Sequence, residues 1–336
     1  MRASLEKICS GENLTQEETD ELFSMMAGGR LEPIEISALL VALRAKGECP
    51  DEIAGAARAL RRSATQFPRP EYVFADSCGT GGDGIGTINV STAVAIVAAE
   101  MGVPMAKHGN RSVSSKCGSA DVLEKLGVKI DASPEVARRC MDEAGICFLF
   151  APLYHRGLRH AMPVRQTLKI RTIFNLLGPL VNPSAPAYQV MGVYDPTLCA
   201  PMAEALGLLG CTAALVVYGS GLDEIALHGP TTAAVYREGA VQEMTMSPEQ
   251  AGLTEFPLEQ LRGGDAEQNA ETIANILKGK GDEAHEAVVA INAGALAWIV
   301  GRAGNIKEGT ALALETIRSG RSMDRLKKLT EISHGA

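Results

Sequence analysis

A chain of 336 residues with 46% hydrophobic content exceeds one hydrophobic core and supports a large domain plus a smaller one. Its net charge of −8 argues against a general nucleic-acid binder, no apolar run reaches membrane-spanning length, and "MRASLEKICSGENL" lacks a signal-peptide core. The eight cysteines are scattered without a CxxC pair, which predicts reduced thiols in the cytoplasm and no zinc site.

Residues 1 to 65 read as helices with short breaks. Thr15 and Glu18 form a capping-box pattern, Gly28 and Gly29 supply a stop, and Pro33 and Pro50 each open a further helix. The helix after Pro33, "IEISALLVALRAKG", is apolar around much of its circumference, as burial or a subunit interface would require.

From residue 72 the pattern becomes α/β. "YVFA" reads as a strand, "DSCGTGGDGIGTINVST" as a glycine-rich turn, and "STAVAIVAAEMG" as a helix capped by Ser91. "VPMA", "ICFLFA", "YQVMGVY" and "AALVVYG" are further strands, with helical segments between them, which signals a largely parallel sheet. "PVRQTLKIRTIFNLLG" reads as one helix interrupting the series and packing back on the N-terminal helices. "AAVYREGAVQEMTM" reads as a hairpin, and the last seventy residues as mostly helical.

Three groups carry chemistry. In the glycine turn, Gly79, Gly81 and Gly82 let a ligand approach backbone N–H groups at a helix start, where an anion is favoured. The turn is neither a Walker A loop nor GxGxxG. Asp83 would repel a phosphate unless a cation or sugar hydroxyl lay between, and Asn89, Ser91 and Thr92 add hydrogen-bonding groups. The second group, "KHGNRSVSSKCGSAD", follows the next strand and so emerges at the same sheet edge. Lys107 and Arg111 bring positive charge, His108 and Asn110 directional hydrogen bonds, and Ser112, Ser114, Ser115 and Ser119 hydroxyls for phosphate oxygens. The third is Asp223 and Glu224 in "GLDEIAL", hard oxygen ligands suited to Mg²⁺ if they lie in a loop. Acid-free stretches between Glu100 and Asp121 and between Glu143 and Asp195 favour a small anionic ligand.

Gly79-Thr80-Gly81-Gly82-Asp83, Asn89-Val90-Ser91-Thr92, Lys107-His108-Gly109-Asn110, Gly118-Ser119-Ala120-Asp121, Pro163-Val164-Arg165, Arg171-Thr172-Ile173-Phe174-Asn175 and Asp223-Glu224 occur in that order. Together they resemble the anthranilate phosphoribosyltransferase family over nearly the whole chain. The resemblance implies a small helical N-terminal domain, residues 1–65 joined by about 165–185, hinged to a larger α/β domain, 72–164 and 186–336. It implies the nucleoside phosphorylase-like phosphoribosyltransferase architecture, with a mostly parallel sheet, and a homodimer through the helical domain. The implied activity, a pentosyltransferase step of L-tryptophan biosynthesis, joins phosphoribosyl pyrophosphate and anthranilate into N-(5-phosphoribosyl)anthranilate and diphosphate.

Carried over by motif, Gly79, Gly82, Asp83, Thr87, Asn89, Val90, Ser91, Thr92, Lys107, Ser115 and Ser119 would hold the donor. Gly79, His108, Asn110 and Arg165 would meet anthranilate, and Ser91, Asp223 and Glu224 would organise Mg²⁺. No obligatory protein nucleophile is implied. The chain departs from the family at His155-Arg156-Gly157, where His-Pro-Ala is usual, and at Lys169, where glycine is common. The extra charges of Arg156 and Lys169 would either strengthen capture of a carboxylate or alter acceptor choice. Two rivals remain: a pyrimidine nucleoside phosphorylase, marked by metal-free phosphorolysis, and a non-catalytic paralogue, marked by salt-sensitive DNA binding.

Overall fold

The computed structural model describes residues 1–112 and 116–335. Four helices come first: α1 (Arg2–Cys9), α2 (Gln16–Ala27), α3 (Pro33–Lys46) and α4 (Pro50–Ser63). Their ends follow from local chemistry. Glu18 N–H donates to Thr15 Oγ1 over 3.2 Å, and Thr15 N–H donates back to Glu18 Oε2 over 2.8 Å, closing the capping box of α2. Gly28 ends that helix, while Pro33 and Pro50 occupy first helical positions, where a missing N–H costs nothing.

The α/β part runs β1 (Ala75–Gly79), α5 (Val90–Glu100), β2 (Met105–Gly109), α6 (Ser119–Lys125), α7 (Pro134–Ala144), β3 (Ile146–Phe150), α8 (Ala151–Tyr154), α9 (Met162–Leu168) and α10 (Phe174–Leu180). It continues with β4 (Tyr188–Gly192), α11 (Cys199–Leu208), β5 (Ala213–Tyr218), β6 (Thr231–Arg237) and β7 (Ala240–Met246). Four helices close the chain: α12 (Ala266–Leu277), α13 (Glu283–Ile299), α14 (Ile306–Arg318) and α15 (Ser322–Ser333). The seven strands form one sheet in the order β3-β2-β1-β4-β5-β6-β7. β1 to β5 run parallel, and β6 and β7 form the antiparallel hairpin at one edge. All the parallel strands therefore end at one sheet edge, where ligands of open α/β sheets bind.

Each face of the sheet is covered by its own apolar cluster. One gathers residues of α5, α7, α13, α14 and α15. The other joins the N-terminal helices to α10, α11 and the sheet residues Met191, Val193, Ala214, Val216 and Ala234. The helical domain thus packs through returning segments, as the position of residues 163–178 in the chain suggested.

Three local expectations need correction. The first strand is Ala75–Gly79, not "YVFA"; Tyr72 and Val73 are 40% and 58% exposed. The strand begins later because the chain buries Asp76 there against a polar partner, Asn182, that no local pattern announces. The helix after the glycine turn is capped by Asn89 in position only, without a side-chain bond, and Ser91 lies in its first turn. Finally, the helix expected over 163–178 is two helices. Lys169 adopts the left-handed φ of 51° and ends α9; the Thr172 N–H then donates to Asn175 Oδ1 over 3.0 Å at the start of α10. A left-handed conformation costs a side-chain-bearing residue roughly 1–2 kcal/mol, which explains the glycine expected there.

Candidate active site

β1 delivers the glycine turn, β2 the Lys107 loop, and β5 the Asp223–Glu224 turn to the same sheet edge. The turn is pinned from behind. Thr80 N–H donates to the Gly192 carbonyl over 3.0 Å, and Gly81 N–H donates to Asp223 Oδ2 over 2.7 Å. Gly81 and Gly82 hold φ of 65° and 80°, and a Cβ on Gly79 would overlap the Asp223 carboxylate. The glycines are required by the protein's own carboxylate as well as by any ligand. Farther along, Thr87 bridges Arg262, and Gly263 N–H donates to the Gly86 carbonyl over 2.9 Å.

Lys107 is 2% exposed and donates to the Ser77 carbonyl over 2.9 Å and to Ser91 Oγ over 3.2 Å. Burial and then the charge of Asp83 push Asp223 up to about 6; burial and then Asp223 push Glu224 well above its ordinary range. Lys107 pulls Glu224 the other way. Burial and mutual repulsion thus disfavour full ionisation of Asp223 and Glu224 together, despite the buried ammonium beside them. Among the described residues no three His, Cys, Asp or Glu side chains converge as a closed metal cage. An open pair of carboxylates whose joint ionisation a cation would favour fits Mg²⁺, which is usually held by one or two carboxylates with ligand phosphates completing the shell.

Asn89 is held internally: its Nδ2 donates to the Cys117 carbonyl over 3.1 Å, and its Oδ1 accepts from Asn269 Nδ2 over 3.0 Å. Val90 is buried, and Thr92 Oγ1 is buried with no hydrogen-bond partner among the described residues. Asn110 Oδ1 accepts from Arg111 N–H over 2.7 Å, and Ser119 Oγ donates to the Asn110 carbonyl over 3.3 Å. Arg111 is taken up by Asp121 and Glu124, each at 2.9 Å, so its charge is largely neutralised within the loop. Ser114 and Ser115 lie outside the described residues.

His108 turns into the interior and meets His155 edge-on, with ring centroids 5.2 Å apart. Burial, then the neighbouring ring, holds His108 well below its ordinary range, while burial pushes His155 down to about 4. Burial thus biases both rings toward the neutral form. Arg165, on α9, lies over the Phe174 ring at 4.9 Å, and burial lowers its pKa. No carboxylate pairs with it among the described residues, which leaves a planar donor fork for a bound carboxylate.

The glycine stretch carries acids at both ends for different reasons. Asp83 stands in the turn, whereas Asp76 is fully buried, and its Oδ2 accepts from Asn182 Nδ2 over 2.8 Å. Asn182 also donates to the Ala106 carbonyl over 2.8 Å, tying the returning segment to β1 and β2. Sequence reasoning assigned no role to Asp76, Asn182 or Asn269. The signal for Asn182 was an amide set in the apolar run "LLGPLVNPSAP".

Residues 71–323 match the Glycosyl transferase family, a/b domain, and residues 2–64 match the Glycosyl transferase family, helical bundle domain. Anthranilate phosphoribosyltransferase of Sorangium cellulosum is 60% identical over 333 residues, covering 99% of this chain and 96% of that relative. The Thermus thermophilus anthranilate phosphoribosyltransferase structure aligns with a TM-score of 0.93 at 43% identity, over 98% of this chain and 99% of its own. The Saccharomyces cerevisiae anthranilate phosphoribosyltransferase in complex with PRPP and Mg aligns at 0.89 and 28% identity, over 100% and 99%.

Proposed function

From the premise that this chain belongs to the anthranilate phosphoribosyltransferase family, we propose a division of labour within its cleft. The protein transfers the phosphoribosyl group of phosphoribosyl pyrophosphate to the amine of anthranilate, in the tryptophan-pathway reaction. The ribose C1–O bond to diphosphate breaks, a C1–N bond forms, and the amine gives up a proton.

The donor side is the glycine turn with Lys107, Ser91, Thr92 and Ser119; the acceptor side is Arg165 with Asn110 and, behind them, His108. The observation that carries this reading is the separation of charge. Asp223 stands against the glycine turn, its Oδ2 accepting from Gly81 N–H over 2.7 Å, while Arg165 on α9 lies over the Phe174 ring with no carboxylate partner among the described residues. Asp223 and Glu224, with Ser91, would hold Mg²⁺, whose charge would offset the three carboxylates and the diphosphate together. The backbone N–H groups of Gly82 and Asp83, next to the two that Gly192 and Asp223 already hold, would orient the donor, and the buried Lys107 ammonium favours the departing negative charge. An aryl amine is a weak nucleophile, so departure of diphosphate runs ahead of C–N bond formation and the ribose carbon gains cationic character. The scheme uses no protein nucleophile, and positioning supplies much of the acceleration.

The same reading divides the chain into 1–65 with about 165–185, and 72–164 with 186–336, joined by a hinge. Helix α3 supports a homodimer through the helical domain, since Ile34 and Val41 are 78% and 41% exposed on it. Among the described residues no helix is long and apolar enough to cross a membrane, and eight scattered cysteines without a CxxC pair support a cytoplasmic location. The net charge of −8 supports small-molecule partners rather than nucleic acid.

The test is the fluorescence of anthranilate on mixing protein with phosphoribosyl pyrophosphate and Mg²⁺, with EDTA as control. A metal-dependent fall is expected. A steady signal from folded protein that binds the donor would overturn the acceptor assignment.

A further inference from the structure

We propose that Arg171 is a positioning residue that ties the donor turn to the acceptor arm through the carbonyl of Gly82. Arg171 lies in the short connection between α9 and α10, on the same segment as Arg165. Its Nη2 donates to the Gly82 carbonyl over 2.7 Å, and its guanidinium lies 3.8 Å over the Tyr194 ring. A Cβ on Gly82 would stand 3.4 Å from that Nη2, so the fork seats against a bare glycine. The stack fixes the plane of the guanidinium, and the plane aims the N–H at the carbonyl.

At the start of the turn two anchors come from the sheet side: Gly192 holds Thr80, and Asp223 holds Gly81. Arg171 reaches the turn from the segment that carries the acceptor arginine. That segment is short, bounded by Lys169, which ends α9, and by Asn175, which holds the Thr172 N–H over 3.0 Å. A carboxylate bound at Arg165 therefore biases the position of Gly82, and by thermodynamic reciprocity a bound donor biases Arg165. The inference rests on the glycine turn being the donor site.

The experiment measures donor KM, kcat and melting temperature for the wild type, Arg171→Ala, Arg171→Lys, Tyr194→Leu, Tyr194→Phe and the Arg171→Ala/Tyr194→Leu double variant. Asp83→Asn serves as the control on the donor site itself. Removing one charge-assisted hydrogen bond at an exposed position is expected to raise donor KM roughly 5- to 20-fold in Arg171→Ala, with kcat and melting temperature little changed. Tyr194→Leu should give a smaller rise, Tyr194→Phe none, and the double variant no more than Arg171→Ala alone, because Tyr194 acts through Arg171. Tightening of the donor by saturating anthranilate should shrink in Arg171→Ala. Full rescue by Arg171→Lys would overturn the proposal, since a bare charge would then suffice, and so would additive effects in the double variant. An unchanged donor KM in Arg171→Ala beside a raised one in Asp83→Asn would refute the coupling alone. No effect in either variant would bring down the donor-site reading beneath it.

Discussion

Asp223 accepts a hydrogen bond from Gly81 N–H over 2.7 Å while its carboxylate fills the space that a side chain on Gly79 would need. The glycine turn and the carboxylate pair are therefore one built unit. Gly79→Ala should displace Asp223 and lower kcat/KM roughly 10- to 100-fold, about 1.4–2.7 kcal/mol of transition-state stabilisation. Gly84→Ala is the comparison: its φ is 74°, yet nothing stands within 4 Å of an added Cβ. It should cost about 1 kcal/mol of stability through backbone strain and far less activity. Steady-state kinetics on both variants decide it, and equal losses would argue against the unit.

Burial of Asp76 has a consequence for stability. Its carboxyl is pushed from 3.8 up to about 6 by burial, against the opposing pull of Lys107 and Asn182. The fold thus keeps a proton that the unfolded chain has already lost. That contribution is fully present below pH 3.8 and disappears as pH rises through about 6, where the buried group must ionise. Asp76→Asn should flatten the fall in stability between pH 4 and pH 7 by at most about 3 kcal/mol. Denaturant titrations of both proteins across that range measure the difference; parallel curves would contradict it.

The exposed apolar face of α3 yields a test of assembly. If the proposed homodimer forms through α3, Ile34→Glu should shift it toward monomer in sedimentation equilibrium, because a charge on the apolar contact is left desolvated and unpaired. An unchanged mass would remove α3 from the interface.

Much of this was legible in the sequence because alternation and glycine placement are local signals. The strand–turn–helix order, the hairpin at 233–246 and the prolines opening α3 and α4 follow from nearest neighbours along the chain. What one sequence hides is direction. Asp76 and Asp83 read alike, yet one faces Asn182, 106 residues away in sequence, and the other faces the turn. Arg111 read as free charge and is instead held by Asp121 and Glu124. The break at Lys169 was hidden because lysine favours helix, and its left-handed backbone carries no local signal in the residue itself.

In the proposed division of labour, donor and acceptor would be held by opposite charge: carboxylates with Mg²⁺ on one side, Arg165 on the other. Initial rates over a grid of both substrates at fixed Mg²⁺, for wild type, Asp223→Asn and Arg165→Ala, test this most directly. Arg165→Ala should raise anthranilate KM roughly 10- to 100-fold, as loss of a charge-assisted bidentate contact implies, and leave donor KM within about twofold. Asp223→Asn should do the reverse and raise the Mg²⁺ concentration needed for half-maximal rate. If Arg165→Ala instead impaired the donor and spared anthranilate, the assignment of the two sides would be wrong.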